Sequence, residues 1–158
     1  MRVLIMGNSG SGKSHRAQAL AARHGLVHLD LDTIVWEPGH IAVPRAPEQL
    51  RADLRAFLDR HPAWVAEGCY GDLVEAALPH CSELVFMNPG LDVCLENNCK
   101  RPWEPHKYAS MEAQQSKLSF LLDWVAGYYT RDDAMSYARH RRVFDGYGGN
   151  KTEVTVLA

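Results

Sequence analysis

Gly7-Asn8-Ser9-Gly10-Ser11-Gly12-Lys13-Ser14 is the stretch from which the fold is read. It matches G-x-x-x-x-G-K-[ST] at every fixed position. Val3-Leu4-Ile5-Met6 precedes it as a short continuous apolar run, the pattern of a strand buried on both faces. Ala17, Leu20, Ala21 and His24 follow at helical spacing, and Gly25 stands where a helix C-cap glycine belongs. Strand, glycine loop and helix in that order form the phosphate-binding loop, or Walker A motif. The glycines let successive backbone N–H groups turn toward anionic oxygens. The helix N-terminus adds partial positive charge. Gly7, Asn8, Ser9, Gly10, Ser11, Gly12, Lys13 and Ser14 are therefore the expected cofactor-binding residues, with ATP and Mg²⁺ as the expected cofactors. Lys13 reaches the β- and γ-phosphates in such a loop, and the Ser14 hydroxyl sits on the metal.

The pattern continues outward. Leu26–Leu29, Ala63–Ala66 and Glu83–Met87 read as further strands, and Arg142-Val143-Phe144 as a fifth. Between them, Leu50, Leu54, Phe57 and Leu58 space as an amphipathic helix. Leu73 to Leu78 reads as a short helix, Leu91 to Lys100 as another, and Leu118 to Tyr129 as a long one. The proline-containing stretch Glu37–Pro47 reads as a surface loop. Strands alternating with helices predict a three-layer α/β fold around a central parallel sheet of about five strands. Its ligand site lies at the carboxyl ends of those strands. With 158 residues, the expected organisation is one domain over 1–158.

Composition excludes several classes. Hydrophobic residues make up 46% and charged residues 23%, which argues against disorder. The formal net charge of −2 does not suit a general nucleic-acid coat protein. Cys69, Cys81, Cys94 and Cys99 form no CxxC pair, so neither a structural zinc site nor a disulfide framework is expected. They read as buried or partly buried thiols in a reducing, cytoplasmic setting. The opening apolar run is far shorter than a signal or membrane segment, and no membrane partner is expected. The eight histidines show no metal-ligand spacing and read mostly as surface or capping residues.

The strand ends carry the remaining candidates. Asp30-Leu31-Asp32 follows the second strand, and alternate residues of an extended segment point the same way. One carboxylate there can hold Mg²⁺ through water, and the other can take a proton from an acceptor hydroxyl. The bland alternative is that one of them caps a turn. Glu67 ends the third strand and is a candidate for orienting metal-bound water, or else a salt-bridge partner. Ser14, Asp30 and Glu67 are thus the expected metal residues. Asp32, Trp36, Gly68 and Tyr70 are the expected substrate residues. Trp36 either stacks on an acceptor or packs its loop; Gly68 permits close approach; Tyr70 offers a hydroxyl or caps the next helix. Lys100-Arg101-Pro102-Trp103-Glu104-Pro105-His106-Lys107-Tyr108 is cationic and interrupted by prolines, and it is read as a lid at about 100–110. Arg101 is the first-choice lid arginine, because its planar fork suits phosphate, with Lys107 and Arg131 as alternatives. Lys13, Asp32 and Arg101 are the candidate catalytic residues. Arg139-His140-Arg141-Arg142 reads as a solvated face. Asn150-Lys151-Thr152-Glu153 misses the guanine motif N-K-x-D by one residue and is read as coincidence.

The N-terminal loop, the acid after the second strand and the late basic segment resemble the adenylate kinase and shikimate kinase group. A closer resemblance is to small adenylate-kinase-related proteins called DNA topology modulation proteins. It rests on the loop 7–14, on Asp32-Thr33-Ile34-Val35-Trp36 and on Trp64-Val65-Ala66-Glu67-Gly68-Cys69-Tyr70. The family pattern there is roughly GNSGSGKS, LDxxxW and WIxDGNY. Glu67 and Cys69 depart from it, standing where the family has Asp and Asn. The family's arginine-dense helix and lid are thin in this chain. The resemblance implies a D-x-D role for Asp30 and Asp32 and an adenine border near Tyr147–Lys151.

The sequence therefore predicts an ATP·Mg²⁺-dependent phosphotransferase acting on a small hydroxyl- or phosphate-bearing acceptor. Two alternatives stand beside it. One is a regulatory ATP-binding protein with slow hydrolysis. The other is a polynucleotide-end kinase, which needs an electropositive groove.

Overall fold

The computed structural model describes residues 1–38 and 40–158, positions 41 and 42 by their backbone alone. Strand β1 (Arg2–Gly7) is buried beyond its first residue. It sits at the centre of a parallel sheet with β2 (Val27–Asp30), β5 (Trp64–Gly68), β6 (Glu83–Met87) and β7 (Lys151–Val154), in the order β2-β5-β1-β6-β7. The register places Ile5 opposite Glu67 and Gly7 opposite Met87. It also brings Asp30 opposite Glu67. The phosphate loop, Glu67 and Asp30 thus emerge along one sheet edge.

The pleat decides what each face of β1 meets. Leu4 and Met6 pack with Trp64, Ala66, Leu84 and Phe86 against one helical layer. That layer contains α3 (Pro47–Arg60), α4 (Gly71–Ala77) and α7 (Tyr137–Gly146). Val3 and Ile5 pack with Val65 and Val85 on the opposite face, against Ala17 of α1 (Lys13–His24). Each large side chain fully buried there contributes about 1.5–3 kcal/mol of transfer free energy. Helix α1 ends as expected at Gly25, whose φ of 64° is left-handed. The short helix α2 (Asp32–Val35) follows β2, and α5 (Leu91–Cys99) follows β6. Helix α6 (Met111–Ala126) packs against α5. The three-layer α/β fold with five parallel strands is the one the sequence predicts.

Three elements differ from the sequence reading. Arg142-Val143-Phe144 is helical, within α7, and the fifth strand is Lys151–Val154. A three-residue apolar run cannot distinguish a strand from a buried helix segment. Here Ser136 caps the helix by accepting from Arg139 N–H at 3.2 Å, and His140 and Val143 point into the core. Tyr147–Asn150 therefore precedes the last strand rather than following it. Within the expected loop, β3 (Trp36–Glu37) and β4 (His40–Pro44) form a small antiparallel hairpin; Gly39 lies outside the described residues. The long helix starts earlier than expected and ends at Ala126, so Tyr128 and Tyr129 follow it in a turn. Among the thiols, Cys99 is exposed rather than buried. Among the described residues, no helix is long and apolar enough to cross a membrane.

Candidate functional site

The loop 7–14 links the end of β1 to the start of α1 and closes on itself. Ser11 N–H donates to Asn8 O at 3.2 Å, and Lys13 Nζ donates to the same carbonyl at 2.7 Å. Gly10 and Gly12 have φ of 80° and 93°, which side chains rarely adopt. A Cβ on Gly10 would also come within 2.6 Å of Asn98 Nδ2. The loop is clamped from behind by α5. Asn97 Nδ2 donates to Gly10 O at 2.9 Å, and Ser9 Oγ donates to Asn98 Oδ1 at 3.0 Å. This asparagine pair was not singled out in the sequence, where it reads as part of a helix with few basic residues. Its only signal is two adjacent amides just before the cationic segment.

Ser14 and Glu67 come together as expected. Ser14 Oγ donates to Glu67 Oε1 at 2.7 Å, and His28 Nε2 lies 3.4 Å from the same oxygen. Burial opposes the charge of Glu67. The neighbouring His28 imidazole, the Lys13 ammonium and the Ser14 hydroxyl outweigh it and hold the carboxyl below its usual range. Two oxygen ligands beside a phosphate cradle fit a magnesium ion, which takes few protein ligands and completes its shell with phosphate and water. Among the described residues, no three His, Cys, Asp or Glu side chains are grouped so as to hold a metal ion by themselves. Asp30 does not join this pair. Its Oδ1 accepts from Asp32 N–H at 2.9 Å, the capping role of the bland reading, and its Oδ2 faces the segment 100–110.

That segment lies directly over the acids. Lys107, only 8% exposed, places Nζ 2.8 Å from Asp32 Oδ2, 3.6 Å from Asp30 Oδ2 and 3.5 Å from Glu104 Oε1. His106 Nε2 is 3.5 Å from Asp30 Oδ2. Arg101 reaches the phosphate loop, with Nη2 donating to Ser9 Oγ at 3.3 Å and Nη1 lying 3.6 Å from Glu104 Oε2. Arg101 and Lys107 thus divide the segment: one faces the phosphate loop and the other the acid pair. Arg131 instead binds Asp133 and the Trp124 carbonyl.

Asp32 is held at both oxygens. Tyr70 Oη donates to Oδ1, and Trp36 Nε1 donates to Tyr70 Oη at 2.6 Å. Burial works against ionisation of Asp32, but the Lys107 ammonium and the Tyr70 hydroxyl more than offset it and keep its pKa below the ordinary value. Asp30 moves the other way. Its burial, followed by the negative charges of Asp32 and Glu67, raises its pKa. Lys107 is raised by Asp32, Asp30 and Glu104 despite its burial, so it stays charged. Gly68 lies on the cavity wall, but a Cβ there would meet Leu31 Cβ at 2.9 Å, so its missing side chain makes room for Leu31.

A cavity of ≈ 1140 Å³ joins these groups. Lys13, Ser14, Arg101, Asp32, Trp36 and Tyr70 all line it. The basic run 139–142 is not among them. Arg139 binds Asp72 and Glu75, Arg141 binds Glu153 at 2.6 Å, and Arg142 faces Asp132 at 3.4 Å. Lys151, in the near-match to the guanine motif, donates to the carbonyls of Phe144, Asp145 and Tyr147.

His140 of that run is fully buried, unlike the surface role expected for most histidines. Its Nε2 lies 2.8 Å from Cys69 O, which can only accept, so Nε2 carries the hydrogen. Nδ1 then accepts from Tyr128 Oη at 2.7 Å. This pair pins the loop between Glu67 and Tyr70. Burial pushes the His140 pKa down to about 4. An unfolded histidine titrates near ~6.5, so between these values the unfolded chain binds a proton that the folded one refuses. The stabilisation is complete above the unfolded value and is lost as pH falls toward the folded one. We expect about 2 kcal/mol to be lost between pH 8 and pH 5. Urea midpoints at the two pH values check this, and His140→Gln is expected to flatten the slope over that interval.

No family model matches the sequence, and no curated protein matches it at a significant level. Solved structures do resemble it. The YorR protein of Bacillus subtilis, in complex with phosphorylated GDP, superposes with a TM-score of 0.53 at 10% identity, covering 98% of this chain and 85% of that one. An unliganded sugar kinase from Janibacter sp. HTCC2649 gives 0.49 at 18% identity, covering 97% and 83%. A gluconokinase from Sinorhizobium meliloti 1021 gives 0.47 at 20% identity, covering 99% and 83%. At these identities the likeness is one of fold.

Proposed function

We propose that this chain is an ATP·Mg²⁺-dependent phosphotransferase acting on a small acceptor, of the kind its resemblance to the adenylate and shikimate kinase group implies. One observation carries the reading: a phosphate loop with its lysine and a Ser14–Glu67 pair shares a cavity with the acid Asp32. The loop amides and Lys13 cradle the phosphates. Ser14 and Glu67 hold the magnesium ion, which when bound neutralises charge on the phosphate oxygens. Asp32 accepts the hydrogen bond of the acceptor hydroxyl and aims its oxygen at the γ-phosphorus. The new O–P bond forms as the bond from the γ-phosphorus to the bridging oxygen breaks, ADP keeps that electron pair, and the hydroxyl proton passes to Asp32. A carboxylate held ionised by Lys107 and Tyr70 is a weak base, which suits a loose transition state that asks for positioning more than early proton removal. Residues 100–110 act as the lid of this single domain, and Arg101 stabilises the charge being transferred.

A second reading rests on the same contacts. Both oxygens of Asp32 already have donors, as in a nucleotide binder whose turnover is slow and regulatory. Release of ADP from MgATP, measured across small acceptors, separates the two. Acceptor-dependent release, falling about 10²-fold in Arg101→Ala, supports the transferase. Release that no acceptor changes supports the binder.

A further inference from the structure

A second cavity of ≈ 330 Å³ opens beside Asp32, between the β3 end and the segment 100–110. Its polar walls are Asp32, Thr33, Glu37, His106 and Lys107, and Trp36 provides an aromatic surface. The indole N–H is already given to Tyr70, so Trp36 offers the cavity its ring rather than a donor.

The cations at this end are matched by carboxylates. Lys107 faces Asp30, Asp32 and Glu104. His106 lies against Asp30, which matches any charge it carries. Arg45, just beyond the hairpin, binds Asp53 at 2.7 Å and the Ile34 carbonyl at 3.0 Å. The cations of the larger cavity are distributed differently. Lys13, His15, Arg16, Lys100, Arg101 and Lys117 line it beside Lys107; Lys100 pairs with Glu96 and Arg101 lies near Glu104, while Lys13 and Arg101 reach the phosphate loop, where the triphosphate of the donor would lie. The charge of a bound magnesium ion belongs to that end too, at Ser14 and Glu67, where the nucleotide phosphates offset it. The acceptor end is thus rich in hydrogen-bond acceptors and has no uncommitted cation among the described residues.

From this polarity we infer that the acceptor is an uncharged polyhydroxylated molecule of about monosaccharide size, and that nucleoside monophosphates and sugar acids are excluded. The inference rests on the phosphotransferase reading and narrows it. Hydroxyl groups donate to Asp32 and Glu37, and a C–H face of the ring packs on Trp36. A phosphate or carboxylate brings only acceptors and a like charge, with no arginine fork to receive it.

The test uses acceptors that differ by one group. Sorbitol against gluconate, and glucose against glucose 6-phosphate, are compared for acceptor-stimulated ADP release, within a wider set of neutral aldoses and polyols and with AMP included. The expected result is that a neutral member is used, and is preferred over its acid by at least about tenfold in kcat/KM. In Glu37→Arg that preference is expected to fall by about tenfold or to reverse, since the exposed substitution supplies the missing cation. Better use of AMP, gluconate or glucose 6-phosphate than of every neutral compound overturns the inference and leaves the transferase reading intact. If no acceptor raises ADP release above the ATP-only rate, the transferase reading fails instead. Calorimetric titration then decides the acceptor class alone: binding of neutral compounds without their acids supports it, and binding of the acids, or of neither, overturns it.

Discussion

Lys13→Ala is expected to lower nucleotide-dependent turnover by about 10²–10³-fold and to leave the fold in place, because the lysine acts on the phosphates and not on the core. Lys13 is 9% exposed, at the first position of α1, and its ammonium turns back onto Asn8 O. That carbonyl keeps its bond from Ser11 N–H after the truncation, so no buried acceptor is orphaned. Alanine is also the best helix former, which favours α1. The change therefore removes one charge from the cradle and little else. Circular dichroism and urea midpoints should stay within about 1 kcal/mol of the parent, while ADP release and nucleotide binding fall together. Lys13→Arg is not expected to restore activity, since a planar fork does not replace a compact ammonium in a loop this closely packed. Turnover that survives in the folded Lys13→Ala protein would remove the basis for placing phosphates in this loop.

The loop could be read from sequence because everything that shapes it is local. Its glycines, its flanking strand and its helix are contiguous, and the left-handed φ at Gly10 and Gly12 requires what the sequence supplies. Glu67 was equally legible. A strand end beside β1 fixes its position, and the Ser14 contact follows from parallel register. The acid pair was only half legible. Alternation assumes an extended segment, but the chain turns into α2 at Asp32, so Asp30 caps that turn and faces the lid. Lys107 appeared in the sequence only as an alternative to Arg101. Its dominance comes from burial among three carboxylates, a product of long-range packing that no spacing rule encodes. His140 was hidden for the same reason: it sits inside a basic run, and only the face that α7 turns to the core makes it a buried hydrogen-bonded group. The division of cations and carboxylates between the two ends of the site was likewise invisible in a near-zero net charge, which averages over both.

Asp32→Asn is expected to reduce acceptor-stimulated ADP release by about 10²–10⁴-fold while MgATP binding stays close to that of the parent. The amide oxygen can still accept from Tyr70, but its NH₂ group would face the Lys107 ammonium, donor against donor, so the acceptor site loses both its proton acceptor and its docked lysine. The pH behaviour separates this role from a structural one. In the parent, Lys107 and Tyr70 keep the Asp32 pKa low against the opposing effect of burial, so the acidic limb of kcat/KM should lie below the ordinary carboxylate range. In Lys107→Met the burial remains and its largest compensation is gone, so the limb should move to higher pH. Stability follows the same sign. A carboxyl whose folded pKa is depressed stabilises the protein above its unfolded pKa, and that contribution is lost as pH falls through the folded value. Lys107→Met should therefore weaken the fold at neutral pH, by about 3–5 kcal/mol for a fully buried pair and less to the extent that water reaches these groups, and acid should recover part of the loss by protonating the unpaired carboxylates. A purely structural Asp32 would give stability changes like these with an unmoved kinetic limb; a shift of the limb to higher pH in Lys107→Met ties the proton on Asp32 to turnover.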